Sequence, residues 1–60
     1  MECWAIVEIK TDGEEIILGL IRTKDAQERA LARVAQLKAE NEKRIVEARL
    51  YNGPIRKSWI

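Results

Sequence analysis

One amphipathic segment in the middle of the chain constrains the fold more than any other feature. Between Thr23 and Lys43, apolar residues recur with the 3.6-residue period of a helix. They are mostly small, which lets a helix lie close to a sheet: Ala26, Ala30, Leu31, Val34, Ala35 and Leu37. Thr23 is the predicted cap, and Asp25 with Glu28 forms a competing capping box. A single helix with one apolar stripe indicates a two-layer fold, because the stripe must be buried against a sheet.

Two apolar segments precede this helix and predict a β-hairpin. Residues 2–10 and 15–22 flank Asp12-Gly13, a strong signal for a two-residue type I′ turn. A loop of that length places Val7 opposite Leu18.

Two further segments follow the helix, over residues 44–51 and 55–60. Asn52-Gly53 lies between them as a second type I′ signal, and Pro54 favours an edge position for the last strand. The prediction is an α+β fold: a two-layer ββαββ sandwich with a four-stranded antiparallel sheet in the order 2-1-3-4 and one helix on one face. Residues 1–60 are predicted to form a single domain. The order 2-1-4-3 stays open. The element order and length resemble the immunoglobulin-binding bacterial domains that have that β-grasp arrangement, and no residue motif is carried over from them.

The first strand leaves a choice of face, since residues 3–9 (CWAIVEI) are apolar at odd and at even positions. Register assigns one set to the helix. That predicted core set is Cys3, Ala5, Val7, Ile9, Ile16, Leu18, Leu20, Val46, Ala48 and Leu50. The opposite, helix-free face then has an apolar centre with a charged and aromatic rim, which is typical of an interface. Its predicted partner-binding residues are Trp4, Ile6, Ile17, Ile21, Ile45, Glu47, Arg49 and Tyr51.

The composition argues against enzymatic catalysis and against a metal site. The chain has no His, so the commonest general base is missing, and Cys3 is the single cysteine. An intrachain disulfide is excluded, and a structural zinc site is disfavoured. We therefore predict a protein that is not an enzyme and that has no cofactor and no metal. The formal net charge of +1 gives no general attraction to nucleic acid.

The predicted function is protein binding through the helix-free face, to a second copy as a homodimer or to another protein. No apolar run approaches the roughly 18 residues of a membrane span, and one unpaired cysteine fits the cytoplasm. In size and architecture the chain resembles small stand-alone proteins of phages and mobile elements, including anti-CRISPR inhibitors of host defence. One alternative is single-stranded nucleic-acid binding by a basic and aromatic C-terminal hairpin (Arg49, Tyr51, Arg56, Lys57 and Trp59). The other is a designed or purely structural monomer.

Overall fold

The computed structural model describes residues 2–57 and has an α+β fold with one helix on a three-stranded antiparallel sheet. The elements are β1 (Trp4–Ile9), β2 (Glu15–Ile21), α1 (Ala26–Glu40) and β3 (Ile45–Leu50). The sheet order is β2-β1-β3, with β1 antiparallel to both neighbours. The predicted position of β1 between β2 and β3 is therefore confirmed, and the alternative 2-1-4-3, in which β1 and β3 are not neighbours, is wrong.

The fourth strand is not seen in the described part of the chain. Residues 51–57 contain no strand, and the rest of the predicted segment, including Trp59, lies outside the described residues. The predicted type I′ turn at Asn52-Gly53 is wrong, because such a turn needs positive φ at both residues and, of the residues described, Gly13 alone has one. Instead, the Tyr51 hydroxyl donates a hydrogen bond to the carbonyl oxygen of Pro54.

The first hairpin forms, but its turn differs from the prediction. The N–H of Gly13 donates to the carbonyl of Lys10 at 2.9 Å, and the N–H of Lys10 donates to the carbonyl of Glu14 at 2.8 Å. This is a three-residue loop that ends on Gly13 at φ +88°, a conformation that costs glycine little. The Asp12 carboxylate accepts the N–H of Glu14 at 2.9 Å and stabilises the turn.

The longer loop shifts half of the hairpin register. Far from the turn, the predicted pairing of Trp4 with Ile21 is confirmed. Near the turn, Val7 pairs with Ile17 and not with Leu18, because an irregularity beside Ile6 and Val7 takes up one residue of β2. Leu18 is the residue left without a partner, so β2 carries a bulge.

The helix starts and ends within the predicted segment. Asp25 occupies the N-cap position without a side-chain cap, since its carboxylate accepts from the Thr23 hydroxyl at 2.7 Å and from Arg29 at 2.9 Å. These contacts lower the pKa of Asp25, the Thr23 hydrogen bond most. The helix ends at Glu40, before the predicted Lys43, because Asn41 begins a turn and its side chain accepts the N–H of Lys43 at 3.0 Å.

Four positions of the predicted stripe form the buried face of α1, and two do not. Leu31 and Ala35 are exposed. The buried positions are Ala26, Ala30, Val34 and Leu37. The small residues bring the helix close to the sheet, as expected.

The side chains beneath the helix are the opposite set of β1 from the one predicted. Ile6 forms the core with Ala30, Val34, Leu37 and Val46, and Trp4, Ile21 and Ala48 pack against that cluster. The assignment of Trp4, Ile6 and Ile21 to the helix-free face is therefore wrong. Large side chains from the sheet fill the space that a helix lined by alanines leaves, which is the packing requirement of a small core.

Glu8 lies on the same side of β1 as Trp4 and Ile6, which is the side that the helix covers. Arg44 binds the Glu8 carboxylate through two hydrogen bonds of 3.0 Å each. These bonds lower the pKa of Glu8 and raise that of Arg44.

Candidate functional site

The helix-free face is formed by side chains from all three strands. Ala5 on β1 pairs with Arg49 on β3, and Val7 pairs with Glu47. Since directly paired residues point to the same side of a sheet, these side chains lie together, opposite to Ile6 and the helix. Ile17 belongs to this face through its pairing with Val7.

The structure thus divides the eight predicted site residues into two groups. Trp4, Ile6 and Ile21 belong to the helix-covered core. The other five share the helix-free face or its rim, as predicted: Ile17, Ile45, Glu47, Arg49 and Tyr51.

An ion bridge crosses the centre of this face. The Arg49 guanidinium donates to Glu15 on β2 at 2.6 Å and to Glu47 on β3 at 2.8 Å. Because β2 and β3 lie on opposite sides of β1, the Arg49 side chain must pass over β1. The hydrogen bond from Arg49 lowers the pKa of Glu15, and the two carboxylates raise the pKa of Arg49, Glu15 contributing most.

Beside this bridge lies an apolar cavity of about 350 Å³. Ala5, Val7 and Ile17 form its floor, with Arg49 and Tyr51 among its walls. The N–H of Tyr51 donates to the carbonyl of Cys3 at 2.8 Å and continues the pairing of β1 with the chain after β3. The hydroxyl is held by Pro54, so the ring has a fixed position at the rim.

Four residues that line this site were missed by the sequence analysis: Ala5, Val7, Glu15 and Leu50. Ala5 and Val7 are buried, at 1% and 5% exposure, although no helix of the described chain covers their face. The sizes of the side chains in the sequence indicate which side of β1 meets the helix. A stripe with several alanines calls for Trp4 and Ile6 beneath the helix, and that choice places the smaller side chains of β1 on the other side.

A second groove, of about 480 Å³, opens on the opposite face between α1 and β2. Gly19 and Ile21 line it from β2, and Arg29, Arg33 and Gln36 line it from the helix. Arg29 is bound to Asp25, and Arg33 donates to Gln36 at 3.0 Å, so two of these polar side chains point at neighbours on their own helix.

Within residues 2–57 we find no group of three or more acidic, cysteine or histidine side chains placed to hold a metal ion. Cys3 is a half-buried free thiol. The described helix is too short and too polar to cross a membrane. The helix-free face combines an apolar cavity, an aromatic rim and an ordered set of charges.

Comparison with known proteins gives no match to any family model, curated protein or solved structure.

Proposed function

We propose that this protein is a binding module that recognises another protein through its helix-free face. The observation that carries the proposal is the cavity beside Arg49, whose floor of Ala5, Val7 and Ile17 is apolar and whose walls include Arg49 and Tyr51. Preformed apolar concavities with a few oriented polar groups are where ligands bind, and apolar side chains of a partner fit them.

The charges on this face indicate the chemistry of the partner. Glu15 and Glu47 provide two carboxylates around the single guanidinium of Arg49. One negative charge is left in excess beside the cavity. The partner we propose therefore presents an apolar side chain flanked by a basic residue, since complementary charge guides encounter and orientation.

The nucleic-acid alternative gains no support from the residues that suggested it. Arg49 is engaged by two carboxylates, which compete with a phosphate for the same guanidinium. Residues 55–57 form no strand of a basic hairpin.

A pair of adjacent substitutions tests the proposal. Ile16 and Ile17 are both half-buried isoleucines of β2, and they point to opposite faces because Ile16 pairs with Glu8 and Ile17 with Val7. Ile17→Lys places a charge in the cavity, and Ile16→Lys is the matched control for the loss of an isoleucine. Immobilised wild type and both variants, checked for folding by far-UV circular dichroism, are used to capture proteins from a cell lysate.

We expect one protein to be retained by the wild type and by Ile16→Lys, but lost with Ile17→Lys. Titration calorimetry with that purified protein should then give an affinity at least roughly tenfold weaker for Ile17→Lys. Equal capture by all three proteins, or no protein enriched by the wild type, would contradict the proposal. A face-to-face homodimer is recognised separately, as a sedimenting dimer that Ile17→Lys dissociates.

A further inference from the structure

The outer edge of β3 gathers the most exposed large apolar side chains of the described residues. Ile45 and Leu50, at the two ends of β3, are 54% and 63% exposed. Leu31, at 53%, lies on the helix. At about 100° per residue, it is on the flank opposite to Arg29 and Arg33, which line the groove toward β2, so it lies on the β3 side. Apolar surface concentrated along one side of a small protein marks an interaction surface.

The edge of β3 lacks a bulge, a proline and a lysine, and its charged side chains are Glu47 and Arg49, of opposite sign. No described strand pairs with its outer side, since β1 lies on its inner side. Its pairing with β1 runs without a bulge from Leu50 to Ile45, and the strand contains no proline and no lysine. The other edge, β2, carries the bulge at Leu18. Bulges, prolines and lysines are the usual protections of an edge strand.

The directions of the backbone groups follow from two hydrogen bonds. Lys10 bonds toward β2 through Glu14, and Cys3 bonds toward the chain of β3 through Tyr51. Antiparallel pairing alternates, so odd-numbered residues of β1 bond to β3. The backbone N–H and C=O groups of their partners on β3 therefore point toward β1. Those of Val46, Ala48 and Leu50 point away from β1, toward the outer edge of the sheet.

We propose that two copies of this protein join by antiparallel pairing of their β3 strands, centred on Ala48. In this register, Val46 of one copy forms a hydrogen-bonded pair with Leu50 of the second copy. Glu47 of one copy faces Arg49 of the second copy, twice, at the positions where side chains come closest. Ion pairs form on both sides of the two-fold axis when the Arg49 guanidinium, which reaches across β1 to Glu15 in the monomer, turns toward the second copy.

The same charges exclude the neighbouring registers. Centring the pair on Glu47 would place two glutamates opposite each other, and centring it on Arg49 would place two arginines opposite each other. Like charges that face each other directly destabilise a strand pair. Sliding one strand by a single residue pairs Ala48 with Glu47 or Arg49 of the second copy. Backbone groups that point outward then lie opposite groups that point inward, and the hydrogen bonds between the strands cannot form. Among the registers that overlap most of β3, the one centred on Ala48 satisfies backbone and charge together.

This dimer covers the exposed side of the molecule. Leu50 packs against Val46 of the second copy, and Ile45 packs against Tyr51 of the second copy. The two helices lie on one face of a continuous sheet. Ala48, the residue at the two-fold axis, is small, and the two Leu31 side chains lie on the flanks that face each other. The proposal does not use the function proposed above, but the two surfaces share residues, since Arg49, Leu50 and Tyr51 also line the cavity of the helix-free face. Ile17, on the cavity floor and away from the β3 edge, distinguishes them.

Sedimentation equilibrium over concentrations up to about 1 mM tests the dimer. We expect self-association for the wild type and at least roughly tenfold weaker association for Leu50→Lys. Leu50 is mostly exposed, so its replacement leaves the monomer folded. Leu18→Lys, an exposed leucine of the other edge, is the matched control and should associate like the wild type. A monomeric wild type, or equal weakening by both variants, would overturn the proposal. Ile17→Lys, which tests the cavity, should leave the dimer intact.

A charge exchange tests the register. Glu47→Arg alone places arginine opposite Arg49 of the second copy, and Arg49→Glu alone places glutamate opposite Glu47. Each variant should be monomeric by itself, and an equimolar mixture should form a one-to-one heterodimer, because every facing pair then has opposite charges. Circular dichroism checks that each variant is folded, and labelling one of them identifies the heterodimer. A mixture that stays monomeric while both are folded would rule out this register.

Discussion

Ile6 and Val7 are neighbours on the central strand and are equally buried, at 5% exposure each, yet opposite faces of the sheet bury them in different ways. Ile6 lies under a helix, in contact with a cluster that includes Val34, Leu37 and Val46. Val7 lies beneath no described helix, and Arg49 crosses the strand on its side to reach Glu15.

The difference shows how so short a chain covers both faces of a sheet with one helix. One face uses close packing of apolar side chains beneath the helix, with a groove between α1 and β2. The other uses a long side chain whose aliphatic part covers apolar surface while its charged end is held by carboxylates. Such a cover leaves a cavity at its side, and that cavity is the candidate site.

The largest expected effect is at Ile6. Ile6→Ala should lower the free energy of unfolding by about 3 kcal/mol, because it removes three carbons from the apolar cluster beneath the helix. Val7→Ala should cost only about 1–2 kcal/mol, since the space it leaves adjoins an open cavity. Urea unfolding followed by far-UV circular dichroism measures both values.

The matched comparison uses the same atoms at both positions. The step from Ile6→Val to Ile6→Ala removes two methyl groups, as Val7→Ala does. If that step costs no more than Val7→Ala, the two faces are packed alike and the contrast drawn here is wrong.

An intermediate effect is expected where the helix meets the sheet. Ala30 is 0% exposed, so Ala30→Leu overfills the contact and should destabilise the protein by about 2 kcal/mol. Ala35→Leu, on the same helix at an exposed position, should change stability by less than about 0.5 kcal/mol. Thermal unfolding of the two variants distinguishes them, and equal effects would mean that the helix docks through a different stripe.

The smallest effect is the pH dependence of the two cross-strand ion pairs, one on each face. The pKa values of Glu8 and Glu15 are lowered below 4.5 by Arg44 and Arg49. A lowered folded-state pKa means that the stabilisation is present above the unfolded value and is lost as the pH falls through the folded value. Stability should therefore decrease below pH 4.5.

Glu8→Gln and Glu15→Gln should each make that decrease shallower. The effect should be greater for Glu8, whose pair with Arg44 is less exposed than that of Glu15 with Arg49. Added salt should weaken the Arg49 pair more, for the same reason. Unfolding at a series of pH values, with and without salt, gives both comparisons. If neither variant alters the loss of stability at low pH, the pH dependence arises from other groups.

Local sequence determined the elements and much of their arrangement. The stripe of Ala26, Ala30, Val34 and Leu37 placed the helix, and Asp12-Gly13 placed the first hairpin. The odd-numbered and even-numbered sets of β3 were also assigned to the correct faces. These features are readable because each depends on residues close together in the chain.

Tertiary structure alone decided which side of β1 lies under the helix. Both sides are apolar, so alternation along the strand carries no information. No short turn joins β1 to β3; a whole helix separates them, and their register is set by packing. Trp4 and Ile6 are large enough to meet a helix lined by alanines, and Glu8 is accepted on that face because Arg44, distant in sequence, lies beside it. The bulge at Leu18 was also decided by the tertiary structure. The first hairpin loop is one residue longer than expected, and the pairing of β1 with β2 takes up the extra residue at Leu18.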